Sequence, residues 1–363
     1  MTPAIAARIP LVRRPKAPGL PLAERIDHLT ALALPPADAG HRALVARASG
    51  VLNYAALIAS DVGLPDLAAD LCWKQHRAFA DAGRLTGNIA VMALMPMVNL
   101  ARRLIREGDG QAAYEILERL LHAGRRRGTT EIRDREIDLS VLTGTAADHR
   151  RICEELWATV LIDGARALAR IGRWTEAAET MAAHRGVGNR MLDGRQITIM
   201  SLMERGLDRQ ARAMIDTSVP TEPWEDTVAA LLRAHCRPPR PHPDLALCEV
   251  LPVITPPRPG HRRVPGPSRT DRARPEPRTR EPANLTGIRV KDALADVAAL
   301  DAYAARDVLS HHPARSRLTP GQTRKLRAVL TASGLDAGHL CAAHAQALTA
   351  AVDKAEIALR RQL

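Results

Sequence analysis

The apolar pattern of this chain is organised around four glycines. Gly63, Gly108, Gly172 and Gly206 are each followed five positions later by alanine, at Ala68, Ala113, Ala177 and Ala211. Seven residues before the same glycines stand Ala56, Ala101, Ala165 and Ile199, and nine after stand Cys72, Leu117, Met181 and Ile215. All are small or apolar. A glycine that stops a helix in the left-handed region, a short turn, and a second helix with a small residue where the two cross predict helical hairpins. Asp109 and Thr175 are suited to cap the second helices, and Pro65 suits a first turn.

Two stretches depart from this order. In GTTEIRDREIDLSVLTGT (Gly128 to Thr145), Ile132, Ile137, Leu139 and Val141 flank a charged RDRE turn, which predicts a small hairpin inserted between two repeats. Thr145 with Asp148 then suits the start of the next helix. Beyond residue 285, LTPGQTRKLRAVL has Thr319 as N-cap, Pro320 in the first turn and Gln322 completing a capping box. After Gly334, residues 336 to 348 predict a second helix, in an order faintly like a helix-turn-helix, but that helix has no Lys or Arg to read DNA. Leu340, Leu348, Val352, Leu359 and Leu363 make an apolar stripe suited to docking on the repeats or on a second subunit.

The segments GRWTEAAETM, GDGQAAYEIL and GLPDLAADLC resemble the junction of tetratricopeptide repeats, and the last two glycines stand 34 residues apart, the period of that family. The earlier gaps are 45 and 64, so longer helices and an insertion are needed. More broadly the chain resembles the helical-repeat sensor halves of actinobacterial regulators. The resemblance implies an all-α, tetratricopeptide-like solenoid with a small hairpin insertion and a C-terminal helical segment.

Composition agrees with helices: aromatics are 2% of 363 residues, too few for an ordinary all-β core. The net charge of +12 is unevenly placed. Residues 1–19 form a basic tail, 20–236 a nearly neutral repeat body, 237–285 a linker with 13 of the 26 prolines, and 286–363 a basic helical segment. Proline at that density predicts extended chain, with the run Leu245 to Ile254 as a strand-like clip. Arginine outnumbers lysine 47 to 5, which makes arginine content by itself poor evidence of phosphate binding. Five scattered cysteines and no 18-residue apolar run predict a reduced, cytoplasmic protein without a membrane span.

By the glycine register, the first helices of the hairpins present Asn53, Arg102, Arg106, Arg166, Arg170 and Gln196 on one line. Arg102 and Arg106 are one turn apart, as are Arg166 and Arg170, so each pair shares a face. A groove of guanidiniums would take a protein segment or a small acidic ligand. The alternative is that these arginines pair with Glu107, Asp163 and similar neighbours. Trp73, Trp157 and Trp174 read as packing residues and Trp224, beside Pro223 and a Thr221 cap, as the most exposed tryptophan. His149 and Cys153 stand one turn apart without an orienting third residue. His235, Cys236, His242 and Cys248 lack a compact zinc spacing. No nucleotide, metalloprotease or serine-hydrolase motif occurs, so neither cofactor nor catalytic residue is assigned. The expected function is a non-catalytic binding scaffold, with self-association through the C-terminal helix as a further option. The alternative is a DNA-associated regulator using the basic tail, linker and C-terminal helices.

Overall fold

A computed structural model describes residues 9–12, 19–36, 38–236 and 292–363. The proline-rich linker, its apolar run and the residues His242 and Cys248 lie outside the described residues. The described chain is predominantly helical. In order it forms α1 (Leu22–Leu32), α2 (His41–Val62), α3 (Pro65–Asp81), α4 (Gly87–Glu107), α5 (Gly110–Arg126), β1 (Thr129–Ile132), β2 (Arg135–Asp138), α6 (Ala146–Thr159), a π-helical turn (Val160–Gly164), α7 (Ala165–Arg170), α8 (Trp174–Ala183), α9 (Asp193–Glu204), α10 (Asp208–Asp216), α11 (Pro223–His235), α12 (Ala302–Ser310), α13 (His312–Arg315), α14 (Pro320–Ser333) and α15 (Ala342–Gln362).

The same junction is built four times. Each of the four glycines has positive φ, between 72° and 94°, and closes a helix whose partner begins two residues later. The connecting residue, Leu64, Asp109, Arg173 or Leu207, donates its N–H five residues back, to Ala59, Leu104, Leu168 or Leu202, at 2.8–3.0 Å. Its carbonyl then accepts from the alanine four residues on, at 3.0–3.2 Å. That alanine is therefore the first residue of the second helix to make a regular helical bond, and it faces the preceding helix. Ala68, Ala113, Ala177 and Ala211 are all buried, as are the apolar residues seven before and nine after each glycine. A phenylalanine at Ala177, where exposure is 0%, is expected to overpack this crossing and cost about 1 to 3 kcal/mol, read as a lower denaturation midpoint.

Local signals resolve as their chemistry dictates. Asp109 caps α5 through the Ala112 amide at 3.0 Å, and Pro65 opens α3. Thr175 is not a cap: the two-residue connector starts α8 at Trp174, so Thr175 lies inside the first turn, its hydroxyl 3.3 Å from that of Ser201. Thr221 likewise precedes the cap position of α11, held by Glu222, although Pro223 does open the helix.

The insertion is an antiparallel hairpin pairing Thr129–Ile132 with Arg135–Asp138. Arg133 and Asp134 both have positive φ, suited to a two-residue hairpin, so Arg135 and Glu136 belong to the strand and not to the turn. Ile132, Ile137 and Leu139 are buried, whereas Val141 is exposed. Arg135 stacks over Trp73 at 4.8 Å, and Leu85 donates to the Leu142 carbonyl, tying the insertion to the α3–α4 connection. Thr145 caps α6. The Asp148 carboxylate accepts the Thr145 hydroxyl and the Gly87 amide, both at 2.7 Å, so one carboxylate serves the start of two helices.

The C-terminal segment returns to the first hairpin. α15 packs on α1, α2 and α3 through Leu348, Val352 and Leu359, and α14 packs on α12 and α1. The capping box at Thr319 and Gln322 is complete. The helix expected over 336–348 begins only at Ala342. Asp336 and Gly338 instead turn with positive φ, and their amides donate to the Asp61 and Val62 carbonyls at 2.9 and 2.7 Å. The peptide groups after Gly334 thus satisfy the end of α2. A buried cluster reinforces the joint: the Arg25 guanidinium meets Asp61 at 2.7 Å and the Tyr303 hydroxyl donates to the same carboxylate oxygen at 2.5 Å.

Helices α2 and α4 are long and apolar enough, by length and composition, to cross a membrane; half or more of the relevant window in each is buried among the other helices.

Candidate functional site

The first helices of successive hairpins are α2, α4, the α6–π–α7 rod and α9. Side chains of the expected line bridge them in sequence. Asn99 on α4 donates to Asn53 on α2, and Arg106 on α4 donates to the Ser60 hydroxyl on α2 at 2.9 Å. Arg102, one turn before Arg106 on α4, reaches Asp163 in the π-helical turn at 2.9 Å. Arg166 reaches Asp193 at the start of α9 at 3.3 Å. Arg170, at the end of α7, is also engaged. The line is therefore a ladder of contacts between hairpins and not an open strip of cations.

The reason lies in what helix spacing specifies. A four-residue interval places two arginines on one face of their own helix but says nothing about which groups arrive from the next one. Asp163 arrives from the π turn, a local widening that often serves a site; the turn packs on α5, while its flanking helices α6 and α7 pack on α4. Although Arg102 remains 44% exposed, its partner Asp163 is buried, which fixes the pair's position.

Gln196 is the largest departure. It has no exposed surface and faces no groove. Its side-chain oxygen accepts the Leu11 amide at 2.6 Å, and its nitrogen donates to the Leu11 and Met191 carbonyls, both at 2.8 Å. No sequence interval connects residues 11 and 196.

Between α2 and α4 the ladder encloses a cavity of about 130 Å³, with Asn53, Ser60, Asn99 and Arg106 on its polar side and Ala56, Leu57, Ala68 and Cys72 on its apolar side. Arg103, also at the wall, is neutralised by Glu107 at 2.8 Å. Arg106 has a hydroxyl as its hydrogen-bond partner, so its charge meets a dipole. Asn99 and Ser60 escaped the sequence reading, but a signal was present: Asn53 to Asn99 and Ser60 to Arg106 are both 46 residues apart, close to the 45 between Gly63 and Gly108.

Nucleophile chemistry finds little support in the thiols. Burial pushes the Cys72 thiol up to about 11, despite the nearby Arg103 and Arg106. Cys153 and His149 do approach, at 3.5 Å, but burial raises the thiol and lowers the imidazole, which favours the neutral pair over a thiolate–imidazolium pair. Among the described residues no three His, Cys, Asp or Glu side chains are grouped to hold a metal ion. His235 bonds within its own helix and Cys236 is buried. Trp73 and Trp174 are buried; Trp157 and Trp224 are half-buried, bonded to His184 and Glu222.

No protein-family model, curated protein or solved structure matches this chain.

Proposed function

We propose that the protein is a non-catalytic, tetratricopeptide-like helical-repeat scaffold of the cytoplasm that holds a polypeptide segment along the first helices of its hairpins, in regulation or assembly. The observation that carries this reading is the α2–α4 cavity, where Arg106 stands beside the amides of Asn53 and Asn99 and the Ser60 hydroxyl, with apolar wall behind. Solenoids of paired helices bind along such surfaces. A partner's carboxylate side chain matches the site: the guanidinium offers a planar fork and the amides complete its coordination. The basic groove foreseen from four arginines contracts to this one position, because Arg102 and Arg166 already have carboxylates.

Arg106→Ala is expected to weaken the partner recovered by affinity capture from the host by about 10- to 100-fold, the equivalent of a charge-assisted bond of about 1.5 to 3 kcal/mol. Arg106→Lys, which keeps the charge and loses the fork, should fall between. Helical circular dichroism should not change. Equal retention of the partner by parent and Arg106→Ala would refute the assignment, and retained binding that collapses with salt independently of nucleic-acid sequence would instead favour a DNA-associated regulator.

A further inference from the structure

A second face of the array already holds a peptide segment, and it is the chain's own. Residues 9–12, Ile-Pro-Leu-Val, lie against α9 without joining any helix or strand. The Gln196 amide pairs with both the N–H and the carbonyl of Leu11. This two-point contact reads backbone, not side chain, and so does not depend on which side chain stands at that position. Ile9 is buried in the second apolar core, with Ala165, Leu168, Ile197 and Met200 among its members, and Leu11 packs against the same core. Pro10 between them has no N–H to satisfy. A fully buried glutamine needs its oxygen and nitrogen met; without residue 11 it keeps only the bond to Met191.

We propose that this α9 face is a peptide site, occupied here by the chain's own Ile9–Val12, and that a partner segment with the same order of apolar residue, proline and apolar residue takes its place. The inference rests on reading the hairpin array as a polypeptide-binding scaffold, but it uses a face distinct from the Arg106 cavity. Occupation by a tethered segment makes the site self-masked. A tether of this kind supplies an effective concentration on the order of millimolar, so for an intrinsic Kd of about 10 to 100 μM a free peptide binds the intact protein about 10- to 100-fold more weakly than the vacated site.

The test uses the full chain and a fluorescent peptide of residues 5–16. The double variant Ile9→Asp with Leu11→Asp should release the segment, and peptide binding measured by anisotropy should then tighten at least tenfold over the parent, with one peptide per chain. Adding Gln196→Leu should remove that binding. Equal affinity for parent and released variant, or no binding by a released variant that keeps its helical signal, would overturn the proposal. Should the double variant unfold, hydrogen exchange on the parent decides: saturating peptide must accelerate exchange of the Leu11 amide, and unchanged protection overturns the proposal. Loss of peptide binding with the Arg106 effect intact removes only this site, whereas the reverse result removes only the cavity reading.

Discussion

Asp61→Leu is expected to cost about 3 to 5 kcal/mol of folding stability, the loss typical of breaking one side of a buried ion pair. The carboxylate is 7% exposed and its partner Arg25 only 3%, so neither charge has water to fall back on. Among the described residues Arg25 also leaves its Nη1 nitrogen without a hydrogen-bond partner, which makes Asp61 its principal compensation. Tyr303 gives the carboxylate a second bond; burial first, and then Asp61 itself, push the tyrosine's pKa well above its ordinary value and keep it a neutral donor. Tyr303→Phe should therefore cost less, about 1 kcal/mol. The double change Arg25→Met with Asp61→Leu should recover much of the loss, since paired removal leaves no orphaned charge. Urea denaturation of these three variants and of Arg25→Met alone checks this; single and double changes that simply add would show that the two charges do not depend on each other.

Glu225→Gln carries the second large effect and a signature in pH. The side chain is fully buried and receives the Arg190 guanidinium, the Thr221 hydroxyl and the Met191 and Thr221 amides. Burial alone would raise its pKa; the hydrogen bonds from Arg190, Thr221 and Met191 override it and hold the acid down at about 2, against 4.5 for the free side chain. A depressed acid stabilises the fold above its unfolded pKa and loses that contribution as pH falls toward its folded one. The parent should accordingly shed about 3 kcal/mol between about pH 4.5 and 2. Glu225→Gln should lack that share at pH 7 and fall less steeply than the parent across the same window, while still near the parent at pH 2. A variant that follows the parent's full acid profile would show that some other carboxylate carries the transition.

What was legible in the sequence is what the backbone decides locally. A left-handed stop selects glycine, a crossing five residues later selects alanine, and the Thr319 box lies within four residues, so each is written in one short window. Thr175 misled because capping depends on where the helix starts to within one residue, and the common two-residue connector fixed that start elsewhere. The site was half legible: Asn53 and Arg106 do meet at one cavity, whereas Arg102 and Arg166 are neutralised by aspartates on other helices. Closure by the C-terminal segment was legible only in the apolar stripe of Leu348, Val352 and Leu359; Asp336 and Gly338 act through their amides, which every sequence supplies.

That closure places the completion of the first hairpin late in synthesis. Asp61 waits for Tyr303, 242 residues away, and His41 meets Gln362 across 321. On a ribosome, α1 and α2 emerge long before the helix that covers Leu29 and Leu52 exists. Domains form in the order they are made, yet here the earliest hairpin must persist with an apolar flank uncovered while the later ones fold. Contacts of such separation slow folding, so the nascent chain passes through a longer period of apolar exposure than the finished protein ever shows.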